Sequence, residues 1–434
     1  MPFEIPQLRV ADARAALGAL AAAVYGDPTR ALRVVGLTGT NGKTTTCWLI
    51  EQALSVLGAR PALLGTIESR GPGFREAVAH TTPEGDAIAR FARRAVDAGA
   101  THLVMEVSSH ALALRRADAV HFAVAGFTNL TQDHLDFHPS MEAYFEAKAR
   151  LFEELAPARS VVLVDDAWGA RLAARIGARA GAGLVRVSRR PEEAAEIRVS
   201  KWQMTREGIR AEVAIEDRSV SLESPLIGAH NLDNLLVALG ALRALGYDAS
   251  DAAHALGGAR GAPGRLERVD GLPAVTVLVD YAHTPDALER ALAALRPLTD
   301  GRLIVVFGCG GDRDRTKRPL MGAASARGAD LLMLTSDNPR TEDPHAILAA
   351  IEGGLGDLAR ASGDAWAGAS SAYDVIEDRR AAIRAAIFAA RPGDTILIAG
   401  KGHEDYQIRG QNKFHFDDRL EARAQIAARV GGQG

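Results

Sequence analysis

The chain has 434 residues, is 47% hydrophobic and 24% charged, and carries a net charge of −3, which suits a globular protein of two or three domains. That charge gives no electrostatic reason to expect nucleic acid or an acidic membrane surface as a partner. Two cysteines, Cys47 and Cys309, exclude a disulfide framework and lack metal-ligand spacing.

No apolar run reaches the roughly 18 residues of a membrane helix. The N-terminal "AALGALAAAV" is too short, and it follows Glu4 and Asp12 rather than a basic stretch, so the chain reads as cytoplasmic, without membrane insertion. Lysine is scarce: the six are Lys43, Lys148, Lys201, Lys317, Lys401 and Lys413. A chain that uses arginine almost everywhere keeps lysine where arginine will not do.

In chain order, "RVVGL" (33–37) reads as a buried strand and precedes a helical "TTTCWLIEQALSVLG". "THLVMEV" (101–107), "FAVAGF" (122–127) and "SVVLV" (160–164) read as further buried strands with helices between them, the signature of a mostly parallel sheet covered on both faces. A more irregular strand-like stretch runs from about 196 to 226, then the helix "NLDNLLVALGALRALG". The glycine-rich "GGARGAPGR" is the best linker, so a domain boundary is expected near 262. Beyond it "AVTVLVD", "RLIVVFG", "DLLMLTS" and "DTILIAG" read as strands. They end in "DYAHTPD", "GCGGDRDRTKRP", "DNPRTEDP" and "GKGHEDYQ". Open parallel sheets bind ligands just beyond the carboxyl ends of their strands, so four such endings suggest a crevice.

Strand, then "GTNGKTT", then helix is the context of a phosphate-binding loop. Gly39, Thr40, Asn41 and Gly42 let the backbone wrap a phosphate at a helix N-terminus. Lys43 brings a point charge to the β and γ phosphates, Thr44 offers a hydroxyl to Mg²⁺, and Thr45 follows. The position of the usual first glycine holds Leu37. Glu106 ends a buried strand, and a buried glutamate needs a partner or a metal. His134 follows another strand in "QDHLD". Lys148 shares a helical stripe with Met141, Tyr144, Phe145, Phe152 and Leu155. From the residues alone, it reads as a lysine snorkelling at the surface. Asn231 and Asn234 are candidate helix caps. Asn338-Pro339 favours a turn, and Arg340 after it can grip a carboxylate with two parallel hydrogen bonds.

"GTNGKTT", "MEVSSHAL", "FTNLTQDHLDFH", "DYAHTPD", "FGCGGDRDRTKRPLMG", "DNPRTEDP" and "AGKGHEDYQ", in this order, resemble the Mur ligase family from about residue 24 to the C-terminus. The resemblance implies an α/β fold: a central P-loop domain with a mostly parallel sheet over 33–261, and a Rossmann-like α/β domain over 262–434 that binds the amino acid. Family members carry a further uridine-binding domain before the loop, so 1–32 is expected to be its remnant. The implied activity is ATP-dependent amide ligation through an acyl phosphate, adding meso-diaminopimelate to UDP-N-acetylmuramoyl-L-alanyl-D-glutamate.

By resemblance, Thr44, Glu106, His134 and a carbamylated Lys148 hold Mg²⁺. Asn231 and Asn234 lie near the adenine, Arg265 reaches phosphate, and Asp280 (with His283 in its loop) meets the ribose. Lys43, Glu106, His134, Lys148 and Arg265 make the catalytic set. Thr81, Thr82, Ser108 and Arg116 match contacts to the UDP-muramoyl dipeptide, and Leu114 replaces a glutamine found in some relatives. Arg313, Asp337, Asn338, Pro339, Arg340, Gly400 and Glu404 match positions that hold diaminopimelate. Small molecules are the expected partners of a monomer. Two other readings stay open: a generic P-loop phosphotransferase or NTPase, and a truncated, weakly active or non-catalytic ATP-binding relative.

Overall fold

The structure is a computed structural model that describes residues 9–77, 80–179 and 183–432; of the expected remnant over 1–32, residues 1–8 lie outside them. The chain divides into two compact units. One comprises residues 1–203, 209–225 and 230–260, the other 204–208, 226–229 and 261–434. Both are α/β.

In the first unit an eleven-stranded sheet carries Arg33–Thr38 as an interior strand, flanked on one side by His102–Glu106 and on the other by Phe122–Phe127, both parallel to it. All five residues of His102–Glu106 are buried, as are five of the six in Arg33–Thr38. Helices therefore cover both faces, and these strands are continuous rather than alternating apolar runs. The register sets Leu37 opposite Glu106 and Gly126. The carboxyl ends of three adjacent strands thus finish at one level, and the phosphate-loop segment leaves from the middle one. The stretch expected to be irregular forms three strands, Ile197–Thr205, Gly208–Ile215 and Arg218–Ser224, at one edge of this sheet. The last two pair antiparallel, and their burial alternates, as in a sheet with one solvated face. The helix Ala13–Val24 starts at Asp12, whose side chain accepts from the amides of Arg14 and Ala15.

The second unit holds a six-stranded sheet in the order Glu267–Arg268, Thr276–Asp280, Thr395–Ala399, Leu303–Phe307, Leu331–Leu334, Ala372–Val375. All neighbours but the first pair are parallel. The strand latest in sequence lies between the first two long strands, so the order reverses beside it. The loops after Asp280, Phe307, Leu334 and Ala399 gather at one edge, the usual ligand position of such sheets. A hairpin of Tyr406–Arg409 and Asn412–His415 follows. No helix among the described residues is long and apolar enough to cross a membrane.

One buried ion pair anchors that edge. Arg379 and Asp418 have fully buried side chains. Arg379 donates from Nε and Nη2 to the two Asp418 oxygens, both at 2.7 Å, and Nη2 also donates to the carbonyl of Ala399 at 2.9 Å. The pair ties the starts of the helices Arg379–Ala389 and Asp418–Gly431 to the last residue of the strand before Gly400. Removing one partner strands a buried charge. Asp418→Ala is expected to destabilise the second unit by about 3–5 kcal/mol, read as a lowered urea midpoint for that unit's transition.

Candidate functional site

The strand Arg33–Thr38 and the helix Lys43–Val56 are joined by Gly39, Thr40, Asn41 and Gly42. Gly39 (φ 146°) and Gly42 (φ 88°) adopt backbone conformations that side chains rarely enter. A Cβ on Gly39 would collide with the Thr128 hydroxyl, and one on Gly42 with the Asn234 side chain. The loop is braced by the segment after Phe122–Phe127. The amide of Thr40 donates to Asn129 O at 2.9 Å, that of Asn41 to Asn129 Oδ1 at 3.0 Å, and the Thr128 hydroxyl to Asn41 O at 2.6 Å. Thr131 donates its amide to Thr40 Oγ1 at 3.0 Å. Gly42 stands at the N-cap with no side-chain cap bond among the described residues, and a helix N-terminus favours an anion.

Two lysines converge on this loop. Lys43 donates to Gly39 O at 2.8 Å and Thr40 O at 2.9 Å. Lys148, from the helix Met141–Glu153, donates to the same Gly39 O at 2.8 Å and lies 4.5 Å from the Tyr144 ring centroid. It does not snorkel: only 1% of the residue is exposed. Burial, and then the charge of Lys43, push its amine well below the usual lysine range, which favours the neutral form.

Glu106 is buried beside Thr44, whose hydroxyl donates to its carboxylate at 2.8 Å. The amide of Thr66 (2.7 Å) and its hydroxyl (3.1 Å) complete its set. Thr81, Thr82, Ser108 and Arg116 continue from there. The Thr81 hydroxyl lies 3.0 Å from Thr66 Oγ1, which can accept from it, and the Thr82 hydroxyl donates to Glu106 O at 2.9 Å. Ser108 gives its amide to Thr82 Oγ1 at 3.0 Å, and Arg116 donates to Thr82 O at 3.2 Å while pairing with Glu84.

His134 lies in the segment after the strand Phe122–Phe127. It is exposed, left-handed (φ 54°), and packs on His110 at 4.7 Å with Asp133 at 3.5 Å. Burial lowers its pKa, and Lys43 and Lys148 push the same way. Asn231 and Asn234 lie inside the helix Ala229–Ala244. Asn234 is a second-turn residue, past the orphan amides that a cap serves. Its Oδ1 accepts from the Thr46 hydroxyl at 3.3 Å and its Nδ2 donates to Asn231 at 3.1 Å. It supports the loop from beneath rather than capping.

The oxygens of Thr44 and Glu106 are donors of the hard kind that Mg²⁺ takes. This ion keeps waters and phosphates as its other ligands and needs few from protein. The residues therefore fit it, although no cluster of three or more His, Cys, Asp or Glu among the described residues could hold a metal alone.

In the second unit, Asp337 and Asn338 are buried after the strand Leu331–Leu334. Asn338 donates from Nδ2 to Glu404 at 3.0 Å. Arg340 is left-handed (φ 52°). It is clamped by its amide to Ile408 O (3.1 Å), by its carbonyl from Gly410 (2.7 Å), and by Nη1 to Gly311 O (2.8 Å). Gly400 (φ 116°) brings its backbone against Asp337, where a Cβ would stand 2.7 Å from Oδ2. Burial and Asp337 together raise the Glu404 pKa. Arg313 is exposed. Asp280 accepts from the amides of Leu266 (2.7 Å) and Ala282 (2.8 Å), and the Arg265 guanidinium lies 4.8 Å over the Tyr281 ring. Sequence reasoning missed Lys401, whose side chain is fully buried between Asp337 and Glu404; the scarcity of lysine was the available signal.

Residues 37–242 match the family described as Mur ligase middle domain, and residues 264–402 the one described as Mur ligase, glutamate ligase domain. The chain is similar to proteins named UDP-N-acetylmuramoyl-L-alanyl-D-glutamate–2,6-diaminopimelate ligase. The one from Gloeobacter violaceus is 49% identical over 98% of this chain and 83% of the relative. The one from Geobacter metallireducens is 47% identical over 98% and 84%. A solved structure of a ligase of that name superposes with a TM-score of 0.73 at 34% identity, over 98% of this chain and 86% of the other. The fold is also that of folylpolyglutamate synthase from Mycobacterium tuberculosis, at a TM-score of 0.66, 21% identity, and 89% and 91% coverage.

The two glycines at the ends of the helix Lys43–Val56 separate backbone strain from crowding. Gly58 (φ 81°) faces open space, so Gly58→Ala is expected to cost about 1–2 kcal/mol from strain alone. Gly42→Ala meets the Asn234 side chain as well and should cost more. Urea midpoints of the first unit read the difference.

Proposed function

The chain belongs to the Mur ligase family, and from that premise we propose that it joins meso-diaminopimelate to UDP-N-acetylmuramoyl-L-alanyl-D-glutamate with cleavage of ATP. This is a step of peptidoglycan precursor synthesis, carried out in the cytoplasm by a monomer. The observation that carries the choice of amine is Arg340, locked by three backbone hydrogen bonds in a pocket with Asn338 and Glu404. Diaminopimelate bears a carboxylate and an ammonium at its far end, whereas lysine bears the ammonium alone. A guanidinium fork rewards the first and repels the second, while Glu404 pairs with the distal ammonium. Asp337, Pro339, Gly400 and Arg313 complete this contact set.

The chemistry runs in two steps. The dipeptide carboxylate attacks the γ-phosphorus and ADP leaves, giving an acyl phosphate; the amine then attacks the acyl carbon, phosphate leaves, and the amine's proton passes to solvent. In the first unit the loop from Gly39 to Thr45 binds phosphate through backbone amides, and Lys43 brings positive charge to it. Thr44 and Glu106 hold Mg²⁺, with His134 and a carbamate on Lys148 as further ligands. The ion, when bound, disperses the negative charge that builds on the phosphate oxygens. A neutral buried amine is the form that adds to CO₂, releasing one proton and leaving an anion. That exchange sets a negative charge beside Lys43 and supplies a ligand for the metal. Asn234, backed by Asn231, keeps Gly42 and Thr46 in place near the nucleotide. Thr81, Thr82, Ser108 and Arg116 hold the muramoyl dipeptide. Arg265 meets phosphate, and Asp280 the ribose.

The deciding assay contains ATP, Mg²⁺, bicarbonate and UDP-N-acetylmuramoyl-L-alanyl-D-glutamate, with meso-diaminopimelate or L-lysine in parallel, and detects the tripeptide by mass. Product with diaminopimelate alone is expected. Product with both amines overturns the role of Arg340, and ATP cleavage without either marks a phosphotransferase. Arg340→Ala should raise KM for diaminopimelate by about 10²-fold or more while KM for ATP stays within about twofold.

The carbamate has its own readout. With ¹³C-labelled bicarbonate, the protein should show a carbamate carbon by NMR that Lys148→Arg lacks, because a guanidinium does not add CO₂. The same carbon in the variant, or none in the parent, removes Lys148 from the metal ligands.

A further inference from the structure

Lys401 follows Gly400 in the second unit, and its side chain is fully buried. Its ammonium lies 3.5 Å from Asp337 and 3.6 Å from Glu404 Oε2, and it donates to Asn338 Oδ1 at 3.1 Å. The amide of Ile408 donates to the same oxygen at 2.9 Å. Both lone pairs of the Asn338 carbonyl are therefore taken. This fixes the amide so that its NH₂ faces Glu404 Oε2, 3.0 Å away. The other oxygen, Oε1, takes no hydrogen bond from the described residues. Two carboxylates and one ammonium leave a single net negative charge.

We propose that Lys401 is a positioning residue for the amino-acid substrate. It sets the orientation of the Asn338 amide and the rotamer of Glu404, and it cancels one of two carboxylate charges, so that the pocket offers one negative charge to one incoming ammonium. The proposal rests on the reading of Asn338, Arg340 and Glu404 as the diaminopimelate contacts. A compact ammonium suits the place. It has three donors and is surrounded by Asn338, Asp337 and Glu404, whereas a planar guanidinium would bring five into the same buried volume.

The charge balance has a pH signature. Burial and then Asp337 push the Glu404 pKa up, while Lys401 and Asn338 pull it down. The other groups that face it are Tyr281 after the strand Thr276–Asp280, Tyr406 from the hairpin, and Arg379 from the helix Arg379–Ala389. Binding an ammonium needs the ionised carboxylate. KM for diaminopimelate should therefore fall as pH rises through the raised pKa of Glu404. Without Lys401 that pKa rises further, and the fall in KM moves to higher pH.

The test uses the full chain as parent, Lys401→Met, Lys401→Gln and Lys401→Arg, with KM for each of the three substrates and kcat measured across the pH range in which the protein stays folded. The Met and Gln variants should raise KM for diaminopimelate about tenfold or more, leave KM for ATP and the muramoyl dipeptide within about twofold, and keep kcat within about threefold. Their inflection should move to higher pH, and the Arg variant should return part of the way to the parent. Four outcomes overturn the proposal: an unchanged KM for diaminopimelate, a parallel rise for all three substrates, an unmoved inflection, or failure of both neutral variants to fold, which would make Lys401 a support of the fold alone. Absence of diaminopimelate-dependent product from the parent overturns the reading of the site itself.

Discussion

Two amines donate to one carbonyl oxygen. Gly39 O lies 2.8 Å from both Lys43 and Lys148, and the first unit's candidate site is organised around the tension this creates. In water two ammonium groups so close would repel by little more than thermal energy, but burial strengthens the repulsion several-fold. Lys43 sits at the start of its helix and is only half-buried, so it is less desolvated. Lys148 is buried under Tyr144, and desolvation and Lys43 both act against its charge. The loop thus divides two chemically identical side chains into a half-buried amine and a desolvated one. The division depends on Gly39 itself: only a glycine holds φ 146° with the Thr128 hydroxyl where a Cβ would be.

The second unit solves the opposite problem. Asp337 and Glu404 are neighbours that would repel in a buried place, and Lys401 lies between them. Here the excess is negative, and the substrate we assign to it brings a positive group. Each unit therefore gathers charged side chains in a buried place. Such sites are costly in an empty protein, since unpaired buried charge is destabilising. The rigid surroundings carry that cost: the braced loop in one unit, and the Arg379–Asp418 pair beneath Ala399 in the other.

Much of this was legible in the sequence. Continuous apolar runs marked the buried strands, because a strand covered on both faces needs no polar alternation. The polar endings marked the carboxyl edge of the second sheet, and the glycine pattern marked the loop. What stayed hidden depends on contacts distant in sequence. The Lys148 stripe is as compatible with a snorkelling lysine as with a buried one, and only the approach of Gly39, 109 residues earlier, decides. The sequence starts the helix at Asn231 and so reads Asn231 and Asn234 as caps; it begins at Ala229, and Asn234 bonds Asn231 and Thr46. His134 follows its strand as expected, but its left-handed backbone and its packing on His110 rest on contacts that the sequence does not show. The short strands Ser69–Gly71 and Phe74–Glu76 have three residues each, too few for periodicity to show.

The sparing use of lysine ties these observations together. Of the six, Lys201 and Lys413 are exposed, and Lys317 donates to the carbonyl of His283 at 2.9 Å. The remaining three lie in the two candidate sites, and two of them are fully buried. Arginine is a poor occupant of such places because five donors must find acceptors. The chain itself shows this. Arg379 has an ideal bidentate partner and a backbone carbonyl, yet its Nη1 still finds no hydrogen-bond partner. A lysine needs fewer acceptors, can lose its proton, and in the neutral state has a reactive lone pair. Lys148 sits where the second property matters and Lys401 where the first does. The same substitution, lysine to arginine, should therefore act differently in the two places: at Lys148 it removes the amine that the proposed carbamate needs, whereas at Lys401 a larger cation disturbs Asn338 while the charge survives.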